Sequence, residues 1–295
     1  MITLVISGGD SFTFGSELRD THNELTPSKT CWANLIANKL NAKHCNTGRG
    51  ARGNSFITRH VIYKVNQALR LGYKPEEIFV QVMWSFWSRS EIAVNFHTQT
   101  PFDSPWYYLY PHMAEDESKS EWVMNAIKEH SIKKFRFANG DTKADRFAKS
   151  LHSEYKTRKE LGLVDFAKHH YKITDNLNDI YKSLKSVLLL QNFLENRNIK
   201  YMYTYVDFTI YEAFLNMEPK NKFVNNLRDA IKFYGWYTFP GYHIYEWDKE
   251  TITTPYGFTD WTKRHGYEIG VSHPLEKAHA NAADLIYERV KEIIK

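Results

Sequence analysis

Cysteine is nearly absent from this chain. Only two of its 295 residues are cysteines, Cys31 and Cys45, and both lie on segments flanked by apolar residues, which is typical of buried thiols. Two cysteines exclude a framework of disulfides. The 13 histidines are scattered, with no H-E-x-x-H motif, and no C-x-x-C motif occurs. We therefore expect no metal ion and no organic cofactor.

Long apolar runs are also missing. No run approaches the ~18 residues that a transmembrane helix needs, and the mean hydropathy is -0.54. The first residues lack the basic and apolar stretches of a secretory signal peptide. We therefore expect no membrane partner and a mature chain that starts at Met1. The expected location is the cytoplasm or, if a phage encodes the chain, the virion.

Charge of one sign is not concentrated anywhere. The 39 basic and 34 acidic residues give a net charge of +5, and no block of five like charges occurs. Nucleic-acid binders usually gather positive charge on one face or stripe, so this pattern argues against a nucleic-acid partner. Aromatic residues, in contrast, are abundant at 15% of the chain. They are compatible with a surface that stacks on sugar rings, although core packing explains most of them.

Short apolar runs alternate with helical patterns, which predicts an α/β domain with a parallel sheet. We expect a single domain over 1–295 with a mostly helical insertion at about 93–172. Residues 97–111 read as a long loop and residues 236–262 as irregular. The predicted strands are 2–6, 43–46, 78–84 and 200–206, and the clearest helices are 54–69, 174–196, 224–233 and 275–294.

Polar residues follow each predicted strand, at the sheet edge where parallel α/β proteins bind ligands. Ser11 follows the first strand, and His273 directly precedes the last helix. A serine becomes a nucleophile when a base such as histidine takes its proton. A glycine-rich turn offers N–H donors to an oxyanion. Ser11, His273 and either Gly50 or Gly53 therefore form a candidate acyl-transfer site.

These motifs resemble those of the SGNH/GDSL hydrolases. Gly9-Asp10-Ser11-Phe12 is similar to the first sequence block of that family. The segment 46–50, followed by Asn54-Ser55, looks like its glycine block, and His273-Pro274 looks like its histidine block. The resemblance covers roughly residues 1–92 and 173–295. It implies a flavodoxin-like three-layer α/β/α sandwich and esterase chemistry. It assigns Ser11 as nucleophile, His273 as base, and the N–H groups of Ser11 and of Gly50 or Gly53 to the oxyanion hole.

The chain departs from the family pattern at two positions. The family usually has an oxyanion-binding Asn after the third strand, where this chain has Ser85. It also has an Asp three residues before the histidine, where this chain has Gly270. Another acid could orient His273, or a backbone carbonyl could do so. The candidate acids are Asp260, Glu268 and Asp207.

Several further residues are candidates for binding substrate. Asn54 could point into the site or cap its helix, and Arg89 could contact substrate or pair with Glu91. Trp84 and Trp87 could line an acyl or sugar pocket, and core packing is an equally good alternative for Trp84. A cluster of aromatic residues on the predicted loop could stack on sugars or pack the insertion onto the core: Trp106, Tyr107, Tyr108 and Tyr110.

Two classes of function fit these residues. The first is a serine esterase that removes an O-acyl group, with acetyl the leading candidate, from a carbohydrate or a similar small ester. The second is a catalytically decayed binding or structural module of the same fold, for example a phage particle component with protein partners. A transferase that uses the same Ser–His pair is not separable from the first class by sequence.

Overall fold

The computed structural model describes residues 1–21, 26–93, 106–109, 159–174, 176–211, 213, 221–247, 250–270 and 272–295. The chain forms two compact units. The larger unit holds Met1–Tyr108 and Asn176–Lys295, and the smaller one holds Leu109–Asp175. The predicted single domain with an insertion at about 93–172 stays a prediction. Tyr110 and most of that insertion lie outside the described residues.

In the first half of the larger unit, helices separate the first three strands. The strands are β1 (Leu4–Gly8), β2 (Lys43–Asn46), β3 (Ile78–Trp84), β4 (Ser90–Ala93), β5 (Trp106–Leu109), β6 (Lys200–Tyr205), β7 (Phe239–Trp247) and β8 (Glu250–Tyr256). The helices are α1 (Ser11–Phe14), α2 (Trp32–Lys39), α3 (Asn54–Arg70), α4 (Leu163–Ile173, in the smaller unit), α5 (Asn176–Glu195), α6 (Phe208–Tyr211), α7 (Lys222–Ala230), α8 (Phe258–Arg264) and α9 (Glu276–Ile294).

The main sheet has four parallel strands in the order β2-β1-β3-β6. β1 and β3 lie in its centre and are buried along their whole length, as the apolar runs predict. In the register, Ile6 lies between Cys45 and Val80. The predicted α/β class with a parallel sheet and flanking helices is therefore confirmed.

The two faces of β1 contact different helices. Gly8 faces α3, because a Cβ added to Gly8 would lie 2.6 Å from Val61 and 3.0 Å from Ile57. The neighbouring Ser7 faces the other way, where Gln81 bridges Ser7 and the carbonyl of Ala33 on α2. Successive side chains of a strand point to opposite faces, so helices cover both sides of the sheet.

Two further strand pairs differ from the sequence prediction, and the second of them, β7 with β8, is antiparallel. β5 lies within the segment predicted to be a loop, and it pairs with β4. β7 and β8 pair across the segment predicted to be irregular. Prolines and aromatic residues obscured the strand pattern in both segments. Among the helices of the described ranges, none is long and apolar enough to cross a membrane.

The close packing of α3 on β1 should make the stability of the protein sensitive to a side chain at Gly8. Gly8→Ala should lower the free energy of unfolding by about 1–3 kcal/mol, because the new methyl group overlaps Val61 and Ile57. Denaturant unfolding followed by circular dichroism measures the change. The matched control is Gly235→Ala, where an added Cβ meets nothing within 4 Å. Equal stability of the two variants would contradict this packing.

Candidate active site

A single helical turn presents Ser11 at the end of the first strand. Asp10 precedes the turn, and its carboxylate Oδ1 accepts a hydrogen bond from the amide of Phe12 at 3.1 Å. The amides of Thr13 and Phe14 donate to the Asp10 carbonyl. Among the described residues, none provides an acceptor for the remaining first-turn amide, that of Ser11. A helix N-terminus with an unused N–H favours negative charge beside it.

Gly15 ends this turn and redirects the chain. Its φ of 82° lies in the left-handed region, which glycine adopts without a steric penalty. A Cβ at this position would also lie 2.6 Å from Ser28 and 2.8 Å from Cys31. The glycine therefore allows the segment after Ser11 to fold back closely beside it.

His273 reaches Ser11 from the far end of the sequence. Its Nε2 lies 2.8 Å from the Ser11 hydroxyl, although 262 positions separate the two residues. A narrow loop before α9 holds the histidine, since the amide of Gly270 donates to the His273 carbonyl at 2.9 Å. The imidazole also packs on the ring of Phe12, with 4.7 Å between centroids. The predicted meeting of alcohol and imidazole is thus present, within hydrogen-bond reach.

Glu17 occupies the other side of the imidazole. Its Oε1 lies 2.7 Å from Nδ1 of His273 and accepts a hydrogen bond from the Ser272 hydroxyl at 3.0 Å. Burial raises the pKa of Glu17, but the hydrogen bonds from His273 and Ser272 outweigh it, so the pKa lies below its usual value. A carboxylate at Nδ1 keeps a proton on that nitrogen. Nε2 is then the acceptor that faces the Ser11 hydroxyl.

The carboxylate that lies at Nδ1 of His273 is that of Glu17, which was not among the three candidate acids. Asp260 instead accepts hydrogen bonds from the amides of Phe208 and Gly257. Asp207 accepts from the amide of Thr209 at 3.1 Å. Burial, with the nearby charge of Asp260, raises the pKa of Asp207 to about 6. The carbonyl of Glu268 accepts from the amide of Leu275.

Glu17 could not be found from the sequence motifs. It lies six positions after Ser11, in a stretch with no helical or strand periodicity. Two signals were available: a carboxylate that closely follows the turn of Ser11, and the absence of an acid at position 270, before His273. Neither signal specifies the turn of the backbone that brings Glu17 back to the imidazole.

A buried charge pair lies behind the helical turn that carries Ser11. Asp10 is fully buried, and its Oδ2 accepts hydrogen bonds from Arg89 Nη1 and from the Ser85 hydroxyl, both at 2.7 Å. Arg89 also donates to Ser85 Oγ at 2.9 Å. Ser85 therefore donates its hydroxyl hydrogen bond to Asp10, and its predicted place in the oxyanion hole is not supported. Arg89 pairs with Asp10, whereas Glu91 pairs with Arg59, so the predicted Arg89–Glu91 pair is wrong.

The glycine-rich turn lies against the helical turn Ser11–Phe14. A Cβ on Gly48 would lie 2.8 Å from the amide of Phe14, and the Gly48 amide donates to the side chain of Asn46. Gly53 is buried, and a Cβ there would lie 2.4 Å from the carbonyl of Arg89. Gly50 is exposed and has open space beside it. The oxyanion role of Gly50 or Gly53 stays a prediction.

Two predicted substrate-binding residues belong to the core. Trp84 is fully buried and packs against Tyr203 and Trp236. The buried Asn54 amide accepts from the amide of Ser85 at 2.9 Å and donates to its carbonyl at 3.0 Å. Asn54 therefore ties α3 to the end of β3, and it neither lines a site nor caps the helix, which Gly53 precedes.

The other aromatic candidates that the structure describes are exposed or partly buried. Trp87 is half-buried, and its substrate role stays a prediction. Arginine side chains cover one face of two rings of the predicted cluster. Arg59 lies over Trp106 at 4.4 Å, and Arg52 lies over Tyr108 at 3.9 Å. Trp106 keeps 37% of its surface exposed.

A second Ser–His pair lies inside the protein. The hydroxyl of Ser7 is 2.7 Å from Nε2 of His44, whose Nδ1 contacts Asn34 at 3.0 Å. Ser7 is fully buried and also accepts from Gln81, and burial lowers the pKa of His44 to about 4. This pair links the sheet to α2 and cannot meet a substrate. In the described part of the chain, no group of three His, Cys, Asp or Glu side chains is arranged to hold a metal ion.

No protein-family model and no curated protein sequence matches this chain. Among solved structures, it is similar to the acetyl xylan esterase Est2A from the rumen bacterium Butyrivibrio proteoclasticus, at 12% identity and a TM-score of 0.38. That similarity covers 99% of this chain and 64% of the esterase, so the chain spans less than two thirds of its length. A member of the lipolytic G-D-S-L family from Veillonella parvula DSM 2008 is similar at 10% identity and a TM-score of 0.39, over 99% of this chain and 97% of that chain. Likeness at this level carries no argument about activity.

We expect the buried Asp10–Arg89 pair to contribute to the stability of the protein. Arg89→Ala should lower the free energy of unfolding by about 3 kcal/mol, because it leaves the Asp10 carboxylate buried without a counter-charge. The double variant Asp10→Asn/Arg89→Gln, which removes both charges, should recover part of that loss. Urea unfolding measures both.

The control is Arg289→Ala. Arg289 also pairs with a carboxylate, that of Glu292, at 2.7 Å, but both partners are exposed. We expect a loss of less than about 0.5 kcal/mol there. A loss in Arg89→Ala as small as that in the control would contradict the support that we assign to the buried pair.

Proposed function

We propose that this protein is a serine hydrolase that cleaves carboxylic esters through an acyl intermediate on Ser11. The observation that carries the proposal is the 2.8 Å contact between the Ser11 hydroxyl and Nε2 of His273. The contact lies at the carboxyl end of a parallel sheet, where ligands reach α/β proteins. Ser11 itself is 6% exposed, in contrast to the fully buried Ser7.

The reaction begins with the attack of Ser11 on the ester carbonyl. Nε2 of His273 takes the hydroxyl proton as the bond from Oγ to the carbonyl carbon forms. The carbonyl oxygen becomes an oxyanion, and the donors proposed for it are the amide of Ser11 and that of Gly50 or Gly53. The imidazolium then gives its proton to the leaving alcohol as the ester C–O bond breaks.

Water completes the cycle. Nε2 of His273 takes a proton from a water molecule, whose oxygen attacks the acyl-Ser11 carbonyl. The second tetrahedral intermediate collapses, the proton returns to Ser11 Oγ, and a carboxylic acid leaves. Neither step requires a metal ion or a redox cofactor.

The substrate that we propose is a small O-acyl ester, with an acetyl group on a carbohydrate as the first class to test. The aromatic content of the chain and the partly exposed ring of Trp106 support a sugar-binding surface. The contacts of His273 support a hydrolase over a decayed module, because a carboxylate lies on Nδ1 while Nε2 faces the hydroxyl of Ser11. In the buried Ser7–His44 pair, a neutral amide, that of Asn34, lies on Nδ1 instead.

The test is hydrolysis of p-nitrophenyl acetate by the wild type and by Ser11→Ala. We expect kcat/KM to fall by roughly 10³-fold or more, because the nucleophile is lost while the rest of the site remains. A fluorophosphonate probe should label Ser11, and peptide mass spectrometry should find Ser7 unlabelled. The control is Ser186→Ala, whose serine lies between α3 and α5.

Two results would contradict the hydrolase. One is an equal, near-background rate in the wild type and in Ser11→Ala together with no fluorophosphonate adduct, which would favour the binding or structural module. The other is a rate that survives Ser11→Ala but falls in Ser186→Ala. Acetylated oligosaccharides as substrates then separate carbohydrate esterase activity from activity on small esters in general.

A further inference from the structure

We propose that Glu17 is the positioning residue that makes His273 an effective base, and that position 270 is glycine because the Glu17 carboxylate fills the space which a side chain there would need. This inference rests on the proposed function, since it names the third member of the same site. It also accounts for one of the two departures from the family pattern, the glycine at position 270 where the family has an acid.

Glu17 contacts both the base and the residue before it. Its Oε1 lies 2.7 Å from Nδ1 of His273. The same carboxylate accepts hydrogen bonds from the amide of Ser272 at 3.2 Å and from the Ser272 hydroxyl at 3.0 Å. One side chain thus fixes the rotation of the imidazole and the backbone that carries it. The negative charge also stabilises the imidazolium that forms when Ser11 gives up its proton.

Gly270 shows a spatial requirement, not a conformational one. Its φ does not lie in the left-handed region, so the backbone itself would accept any residue. A Cβ added to Gly270 would nevertheless lie 2.2 Å from Oε2 of Glu17. The next contact, with Leu275 Cδ2, is 3.3 Å away and is only tight. The Glu17 carboxylate is therefore the main obstacle to a side chain at position 270.

Glu17 itself holds an unfavourable backbone conformation. Its φ is 70°, in the left-handed region that residues with a Cβ seldom adopt. Such conformations persist where the surroundings determine them, and they are frequent at functional sites. Here the left-handed turn follows Gly15 closely and brings Glu17 back beside the segment that begins with Ser11. Residues 11–17 therefore supply both the nucleophile and the acid, and His273 lies between them.

Replacement of Glu17 tests the positioning role. Glu17→Gln should lower kcat for p-nitrophenyl acetate by roughly 10²-fold or more with little change in KM, because the loss is in the orientation and charge of the base and not in substrate contact. Glu17→Asp should recover part of kcat. The matched control is Glu276→Gln. The Glu276 carboxylate accepts a hydrogen bond from the amide of Arg19, two residues after Glu17, at 2.7 Å, and it makes no hydrogen bond to His273.

Moving the acid from position 17 to position 270 tests whether the two side chains compete for the same volume. Gly270→Asp alone should lower kcat, because its side chain overlaps the Glu17 carboxylate. The double variant Glu17→Ala/Gly270→Asp places a carboxylate from position 270 into the vacated volume. We expect its kcat to exceed that of Glu17→Ala by at least about tenfold, a gain that a purely structural role for Glu17 does not predict. A double variant no better than Glu17→Ala would overturn the shared-space argument.

A spectroscopic readout works without substrate. The proton shared by His273 Nδ1 and Glu17 should give a strongly downfield ¹H NMR signal in the wild type and in Glu276→Gln, and none in Glu17→Gln or His273→Gln. Folding of each variant is checked by thermal unfolding. Wild-type kcat in Glu17→Gln, or the same downfield signal in that variant, would overturn the inference. Absence of any Ser11-dependent turnover in the wild type would instead overturn the proposed function, and the NMR comparison would still decide the place of Glu17.

Discussion

The candidate site depends on one hydrogen bond that joins the two ends of the chain. Ser11 lies at the first turn after the first strand, and His273 precedes the last helix. Neither group is reactive alone, because a serine hydroxyl keeps its proton near neutral pH and a solvent-exposed imidazole has no defined direction. The parallel sheet brings them together, since β1 lies in its centre and α9 packs against α2 beside it.

Behind this contact, two carboxylates fix the geometry. Arg89 neutralises Asp10, which caps the turn that carries Ser11. Glu17 lies against Nδ1 of His273 and holds the loop that carries the histidine. Each carboxylate also accepts a hydrogen bond from a serine hydroxyl, Asp10 in the core and Glu17 in a partly exposed position. The site is therefore held by carboxylates whose hydrogen bonds are made within the protein.

The sequence was informative wherever local order decides structure. The apolar run before Ser11 and the stripe of α9 predict a strand and a helix by periodicity, and both are present. The motifs around Ser11 and His273 predicted that these residues meet. Glu17 was missed because its place depends on a left-handed turn and on an empty space at Gly270, which only the folded chain displays. The sequence left Trp84 and Asn54 open because residue type does not reveal whether a polar or aromatic side chain points to solvent or to the core, where both lie.

A crystal structure of the protein after reaction with a fluorophosphonate measures the central contact most directly. The account predicts a covalent bond between phosphorus and Ser11 Oγ, with one phosphonyl oxygen at about 2.7–3.1 Å from the Ser11 amide. Nε2 of His273 should remain within about 3.2 Å of Ser11 Oγ or of a phosphonyl oxygen, with Glu17 still on Nδ1. An unmodified Ser11, or an imidazole that faces away from it while the fold is intact, would contradict the account.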